Sequence, residues 1–386
     1  MLNFKSPRAA IMLVFAAFGA AAGAWAGAIP FILAAAGIDK YAFGLGLTAS
    51  SLATVAVMST GGMVGKYFSN RTMLLAIIPI LVAVMAALLL STSAVVFFAG
   101  LIAFGAVLGT MDLFMNAEAS AIEHDVGRPI FTAFHGAVSV AIAIFSIISS
   151  YVTTLFGPLA MAAIVALALG TAWVMVYAFV PARLRAQSEV GGFRSVPSYL
   201  PLVLMGLTVG ISIAAETTCI FWSAKLLDEQ APNLAIYAGL GASFYGLCNA
   251  VMRFGGDGLR ARFGDIPLLL VSLATATVGF TVLGVSTSFA LSTVAFAAVG
   301  FGLSIICPCL FNMAAAQVPA NRAAGLSFIS AVAGPPRILA PWIFGWIATS
   351  HSTSFAFGLC GITMVAAFIL VIALRHMQQK SLIHAS

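Results

Sequence analysis

Ionisable and amide side chains lie within long apolar stretches of this sequence, where a charged group is costly and usually faces a partner or a cavity. Asp112 and Asn116 are four residues apart and share one face of a helix, and His135 is expected at the depth of Asn116 in the next stretch. Together they could hold and release a proton. A structural hydrogen-bond network between two helices would use the same side chains, and both interpretations stay open. Glu118 lies off this face near a helix end, where a solvated carboxylate is expected.

Arg337 is the sharpest signal for ligand binding. It lies within 334–341, a segment that contains three prolines. Prolines remove helical hydrogen bonds, and irregular backbone within a membrane is tolerated where it lines protein or a watery cavity. A guanidinium binds a carboxylate, phosphate or sulfonate through two parallel hydrogen bonds. We therefore predict that Arg337 contacts an anionic group of a solute, with an internal ion pair to Glu216 or Asp112 as the alternative.

A second carboxylate, Glu216, also lies inside an apolar stretch. We predict that it binds solute or gates the outer cavity in preference to serving structure alone. Weaker candidates for the wall of the same cavity are aromatic or amide side chains, which more often serve packing: Trp25, Tyr245 and Asn249.

The stretch Gly62-Met63-Val64-Gly65-Lys66-Tyr67-Phe68-Ser69-Asn70-Arg71 resembles the G-x-x-x-D-R-x-G-R-R loop of the major facilitator superfamily, and this resemblance implies a gate of charged residues at the cytoplasmic face. They are Lys66, Arg71, Arg128, Arg253, Asp257 and Arg262. Such residues can pair across the cytoplasmic face while the other side is open. The preference of basic residues for cytoplasmic loops would by itself place most of them there, so this alternative stays open.

The elements that must position these residues follow from the composition. Of the 386 residues, 62% are hydrophobic and only 7% are charged, whereas about a quarter of a soluble domain is charged. Apolar runs of the length that spans a bilayer recur along the chain. We predict an all-α membrane protein with about twelve transmembrane helices, near 9–36, 43–65, 73–91, 94–120, 131–156, 158–180, 199–224, 235–253, 266–285, 288–311, 324–347 and 352–374.

The basic residues indicate the orientation. With the N-terminus in the cytoplasm, fourteen of the seventeen Lys and Arg residues fall on the inner side. We therefore predict a multi-pass protein of the bacterial inner membrane with both termini cytoplasmic. The net charge of +6 is explained by this distribution, so no nucleic-acid partner is expected.

The longest polar segment, 181–198, predicts a cytoplasmic linker between two six-helix bundles at 1–180 and 199–386. A weak repeat at a shift of 196 residues, which brings Asn116 onto Asn312, favours two parallel halves with the solute site between them. The five cysteines all fall in predicted helices and suggest neither disulfides nor a metal. No nucleotide loop or catalytic motif is present, so we expect no cofactor and no enzyme activity.

Several short motifs resemble those of one family. They are Gly23–Ala26, Asp112, Met115-Asn116, Gly127-Arg128-Pro129, Phe134-His135-Gly136 and Glu216. The set is similar to the YbjJ-like branch of the major facilitator superfamily, which is related to fucose-permease-like carriers. The resemblance implies two pseudo-symmetric six-helix bundles that work by alternating access. The chain departs from the branch at Ala28 and Phe221, where the branch has Arg and Asp, so the identity of the solute is not carried over.

The sequence therefore predicts a secondary active transporter. Its solute is expected to be small, polar and organic, either anionic, zwitterionic or like a sugar or cyclitol, with protons as the coupling ion and a monomer in the lipid bilayer as the working form. The direction of transport stays open. The alternatives are an efflux carrier for drugs or metabolites, and a non-transporting receptor or assembly factor on a carrier scaffold.

Overall fold

The structure, a computed structural model, describes residues 6–127, 130–182, 199–318 and 322–385, and these residues are almost entirely helical. A short 3-10 helix at Pro232–Tyr237 precedes α8. The α-helices are α1 Pro7–Ala36, α2 Lys40–Val64, α3 Asn70–Leu89, α4 Ala94–Val126, α5 Phe131–Phe156, α6 Pro158–Phe179, α7 Tyr199–Gln230, α8 Leu240–Phe263, α9 Asp265–Val285, α10 Phe289–Leu303, α11 Ile306–Gln317, α12 Arg322–Ser350 and α13 Thr353–Ala385.

Short polar residues and glycines define several helix ends. Ser6, Ser69 and Ser93 each accept a hydrogen bond from a backbone N–H in the first turn of α1, α3 and α4. Gly37 and Gly127 end α1 and α4 in the left-handed conformation, with φ of 66° and 68°. Because glycine has no Cβ, it adopts this conformation without steric strain. The ends of these helices are therefore encoded locally.

The predicted helix count is confirmed, with one qualification. Eleven helical segments of the described chain are long and apolar enough to cross a membrane, and α10 and α11 together form one of them. The remaining long helix is α12, with 29 residues. Arg337 and three prolines lower its hydropathy. With α12 included, the described residues form twelve membrane-length helices, as predicted.

The expectation of irregular backbone around Arg337 was wrong, because α12 is helical from Arg322 to Ser350. A proline within a helix still leaves the carbonyl four residues earlier without its helical donor. For Pro335 this is the carbonyl of Ala331, and Ala331 lines a cavity between the two halves of the protein. The prolines therefore leave backbone acceptors beside the cavity without breaking the helix.

The helices pack in the same order before and after residue 190. Within the first half, α1 packs on α5, α2 on α4 and α3 on α6. In the second half, the equivalent contacts are α7 on α12, α8 on α10 and α9 on α13. Between the halves, α5 packs on α8, α2 on α12 and α1 on α7. This arrangement is the predicted pair of pseudo-symmetric bundles.

The two halves meet closely at one face of the protein. This face, which we call the far face, contains the helix ends at 37–39, 157 and 286–288. There the Lys40 ammonium lies 3.3 Å from the Glu229 carboxylate of the other half. Phe43 and Trp222, also from different halves, have ring centroids 4.7 Å apart. The opposite face, which holds Val180 and Tyr199, is called the linker face. Contact between the halves is therefore strong at the far face.

Glycines let helix backbones approach within each half. A Cβ on Gly105 in α4 would overlap the backbone oxygen of Ser50 in α2, whereas a Cβ on Gly170 in α6 would meet nothing within 4 Å. We expect Gly105→Ala to lower the free energy of unfolding by about 1–3 kcal/mol, because backbone atoms cannot move aside as a flexible side chain can.

The matched control is Gly170→Ala, which removes a helical glycine without a clash and is expected to be neutral or slightly stabilising. Thermal unfolding of both purified variants in detergent measures the difference. Equal melting temperatures for the two variants would contradict the close packing of α2 and α4.

Candidate solute and proton site

The predicted acid, amide and imidazole lie in contact. The Asn116 side-chain amide donates to the Asp112 carboxylate at 2.8 Å, and its oxygen lies 3.1 Å from Nε2 of His135. Since that oxygen can only accept, Nε2 of His135 carries the hydrogen in this arrangement. The rings of Phe15 and Phe131 flank the imidazole, with centroids 5.3 and 5.1 Å away. The three side chains form a continuous polar row between α4 and α5.

Glu216 forms an ion pair with Arg253, not with Arg337. Nη2 of Arg253 lies 3.1 Å from the Glu216 carboxylate, and the two side chains are only 19% and 25% exposed. Nη1 of Arg253 donates to the backbone oxygen of His135 at 3.4 Å. Arg253 therefore joins α7 and α8 of the second half to α5 of the first half.

Tyr245 and Asn249 extend this row, and both are buried. The Asn249 amide donates to the Tyr245 hydroxyl at 3.3 Å, and the Ser139 hydroxyl donates to the Asn249 oxygen at 3.1 Å. Polar contacts thus cross the interface between the halves at two places, from Ser139 to Asn249 and from the backbone oxygen of His135 to Arg253.

Arg337 lines a cavity of about 540 Å³ between α2 of the first half and α7, α11 and α12 of the second half. Three hydroxyl side chains, Ser59, Ser327 and Ser330, line the same cavity. Arg337 makes no hydrogen bond or ion pair with any residue that the structure describes, although it is close enough to Asp112 for their charges to interact. The Arg337 guanidinium is therefore available to a ligand.

A second cavity, of about 400 Å³, lies beside His135 and Arg253. Phe311 lines both cavities. The lining residues of α2, α5, α7, α8 and α12 lie in the parts of these helices nearer the linker face, and those of α11 lie in its first turns. Towards the linker face the cavities thus lie beside the contact of α5 with α8.

Trp25 is placed differently from the other predicted wall residues. Its side chain is fully buried and packs on Phe97 and Phe104 of α4. It lines neither of the two cavities described above. In this conformation Trp25 contributes to packing within the first half.

The two described first-half residues predicted for the gate, Lys66 and Arg71, lie at the linker face. Lys66 is exposed in the turn between α2 and α3. Arg71 donates to the backbone oxygen of Tyr177 at 2.8 Å, and its guanidinium lies 5.4 Å from the centre of the Tyr177 ring. Arg71 therefore joins α3 to α6 within its own half in this conformation.

The second-half residues of the gate are also dispersed. Arg262 is exposed and lies over the ring of Phe263, 5.2 Å from its centre. Arg253 lies in the central polar row instead of at the helix end. Arg128 and the side chain of Asp257 lie outside the part of the chain that the structure describes. Among the described gate residues, Arg253 alone hydrogen-bonds to the other half.

One carboxylate was misjudged from the sequence. Glu118 is not solvated but buried, with 4% of its surface exposed, and it accepts a hydrogen bond from Asn70 at 2.9 Å. In the second half, Asp265 pairs with Arg260 at 2.9 Å and accepts from Asn312 at 3.3 Å. In both cases the carboxylate is bound by an amide side chain from another helix, and the spacing of residues in the sequence does not reveal such a partner.

Comparisons with known proteins agree with this architecture. A family profile described as Major Facilitator Superfamily matches residues 208–382. An uncharacterized transporter of Sinorhizobium fredii is 26% identical over 97% of this chain and 99% of its own length. An uncharacterized MFS-type transporter of Yersinia pestis is 27% identical over 93% of this chain and 94% of its own length. Membrane protein MosC of Rhizobium meliloti is 25% identical over 88% of this chain and 83% of its own length.

Solved structures show the same fold. Two crystal structures of the nucleoside transporter NupG, one of them a single-residue variant, superpose on this chain with TM-scores of 0.76 (the variant) and 0.72. They cover 96% and 97% of this chain, and all or nearly all of their own chains, at 13% identity. A likeness at this level of identity shows the fold and not the solute.

The ion pair between Glu216 and Arg253 generates a test by double mutation. We expect Glu216→Gln and Arg253→Gln each to lower the melting temperature, because each leaves a partly buried charge without its partner. The double variant should lose less unfolding free energy than the sum of the losses in the two single variants. The difference, which is the coupling energy of the pair, should be about 1 kcal/mol. Strictly additive losses in the purified protein would show that the pair contributes nothing to stability.

Proposed function

We propose that this chain, a membrane transporter of the major facilitator type, moves a small polar organic solute across the bacterial inner membrane by alternating access and is coupled to protons. In this proposal the working form is a monomer. Both termini lie in the cytoplasm, and the linker face is therefore the cytoplasmic face. It also includes a division into bundles at 1–180 and 199–386 joined by 181–198. The short motifs around Asp112 and His135 support assignment to the YbjJ-like branch.

One observation supports this proposal above the others. The Arg337 guanidinium lies in a cavity between the two halves and makes no ion pair with any described residue. An unpaired charge within a membrane protein is costly and is a feature of functional sites. Five N–H donors in a planar fork suit a carboxylate, sulfonate or phosphate group. The solute is therefore anionic or zwitterionic in this proposal.

The position of Asp112 supports the proposal of proton coupling. Asp112 belongs to the first half, and Arg337, whose charge acts on it, belongs to the second half. An ionised Asp112 competes with the solute anion for Arg337, whereas a protonated Asp112 does not. Asn116 and then His135 connect Asp112 to Arg253 and Glu216. Uptake of a proton at Asp112 thus favours binding of the anion, and the two bind together.

Substitution of Arg337 tests the solute site. A thermal-shift screen of the purified protein against sugars, cyclitols, carboxylates and amino acids identifies ligands that raise its melting temperature. For an anionic ligand, we expect Arg337→Gln to weaken binding by roughly 10- to 100-fold, because a charge-assisted pair is lost. Arg337→Lys keeps the positive charge but not the planar fork of donors. Its affinity for the ligand should therefore lie between that of the unchanged protein and that of Arg337→Gln.

The control is Arg375→Gln, which removes an exposed arginine near the end of α13 and should leave binding unchanged. Unaltered affinity in both Arg337 variants would reject Arg337 as a solute contact. Preferential binding of neutral sugars that does not depend on Arg337 would reject an anionic solute.

Substitution of Asp112 tests the coupling. In proteoliposomes loaded with the ligand from the screen, we expect Asp112→Asn to abolish accumulation driven by a pH gradient. Exchange of labelled for unlabelled ligand should continue, because exchange needs no net proton movement. Asp125→Asn, on an exposed residue of the same helix, is the control for expression and orientation. Accumulation that persists in Asp112→Asn would remove Asp112 as the coupling acid.

A further inference from the structure

The smaller cavity differs chemically from the Arg337 cavity. Its wall is mainly aromatic and aliphatic. The lining residues are Phe131, Thr132, His135, Arg253, Cys307, Pro308, Phe311 and Leu326. A hydroxyl-rich solute group placed here would face few hydrogen-bonding partners.

The two most polar lining side chains already have partners. Arg253 is held by Glu216 and by the backbone oxygen of His135. Nε2 of His135 is occupied by Asn116. What the cavity offers a ligand is therefore chiefly apolar surface, and an unpaired polar group buried there would lose its hydrogen bonds to water.

The two cavities adjoin each other. Phe311 lines both, and the neighbouring residues Leu326 and Ser327 of α12 line one cavity each. A volume of about 400 Å³ exceeds that of an apolar protein cavity known to hold a benzene ring, which is roughly 150 Å³. A single molecule can therefore place an acid group near Arg337 and an apolar group beside Phe311.

We infer that the solute is an organic anion with an apolar body, such as an aromatic or medium-chain carboxylate, whose acid group binds Arg337 and whose body lies against Phe131 and Phe311. This inference rests on the proposed function, since it concerns the same site. It adds a substrate class that is distinct from sugars, cyclitols and small hydroxy acids.

The first experiment needs no variant. The affinity of the purified full chain is measured for butyrate, hexanoate, octanoate and phenylacetate, with hexanol, phenylethanol and myo-inositol as neutral comparisons. We expect the affinity to rise about fourfold for each added methylene until the cavity is filled, because each methylene leaves water. The alcohols should bind at least tenfold more weakly than the carboxylates of the same length.

The second experiment removes the apolar contact. Phe311→Ala should flatten the dependence on chain length and weaken phenylacetate by at least tenfold, with a smaller loss for butyrate, because Phe311 also lines the Arg337 cavity. Phe156→Ala, on an aromatic residue that is 68% exposed at the far-face end of α5, is the matched control and should behave as the unchanged protein.

The third experiment uses the thiol in the wall. Cys307 is partly exposed and lines the smaller cavity, whereas Cys219 and Cys309 are buried. In a chain in which the other four cysteines are replaced by alanine, we expect phenylacetate to slow maleimide labelling of Cys307 at least fivefold. Butyrate should protect much less, because it does not reach the cavity.

The outcomes separate the inference from the proposed function. If carboxylates bind and depend on Arg337, but chain length and Phe311→Ala have no effect, the apolar body is rejected and the anion site stands. Tighter binding of myo-inositol than of hexanoate also rejects the inference. If no carboxylate binds, or Arg337→Gln binds them equally well, the anion site itself is rejected and the inference falls with it.

Discussion

The requirement that a charge within the membrane has a partner governs this structure. Arg253 is held by Glu216 on a neighbouring helix and by the backbone oxygen of His135 in the other half. Both guanidinium contacts help to offset its burial, and together with the Ser139–Asn249 hydrogen bond they join α8 to α5. Arg337 lacks such a partner among the described residues. The contrast between two arginines, one satisfied and one available, is the strongest indication of where a ligand binds.

The proposed alternating access requires that the contacts within each half are preserved while some contacts between the halves are broken. The glycines of α1, such as Gly19 and Gly23, place its backbone against that of α5 in the same half. Glycines also bring backbones together between the halves, since a Cβ on Gly44 of α2 would overlap the backbone oxygen of Pro341 in α12. The Lys40–Glu229 pair is partly exposed, and the Phe43–Trp222 contact is a ring contact between two side chains. An ion pair that is partly exposed contributes little to stability, so the Lys40–Glu229 pair can be exchanged at modest cost.

The sequence predicted the helices and part of the site, for identifiable reasons. Helical spacing and depth were sufficient to group Asp112, Asn116 and His135. Arg253 was assigned to the gate because basic residues near helix ends follow membrane topology, and that rule gives no information on the direction of a side chain. Glu118 was misjudged for a related reason. Its partner, Asn70, lies on another helix, and contacts between helices depend on packing that no local pattern specifies.

The two halves are more alike in structure than in sequence. Asn70 at the start of α3 donates to Glu118 in α4, and in the second half Asn312 in α11 donates to Asp265 at the start of α9. Each pair joins the third helix of its half to the fourth, but the amide and the carboxylate are exchanged. The shift of 196 residues aligned Asn312 with Asn116, although in its contacts Asn312 corresponds to Glu118. Since a hydrogen bond can join the same two helices when donor and acceptor exchange places, this contact is present in both halves although an alignment of residue identities does not show it.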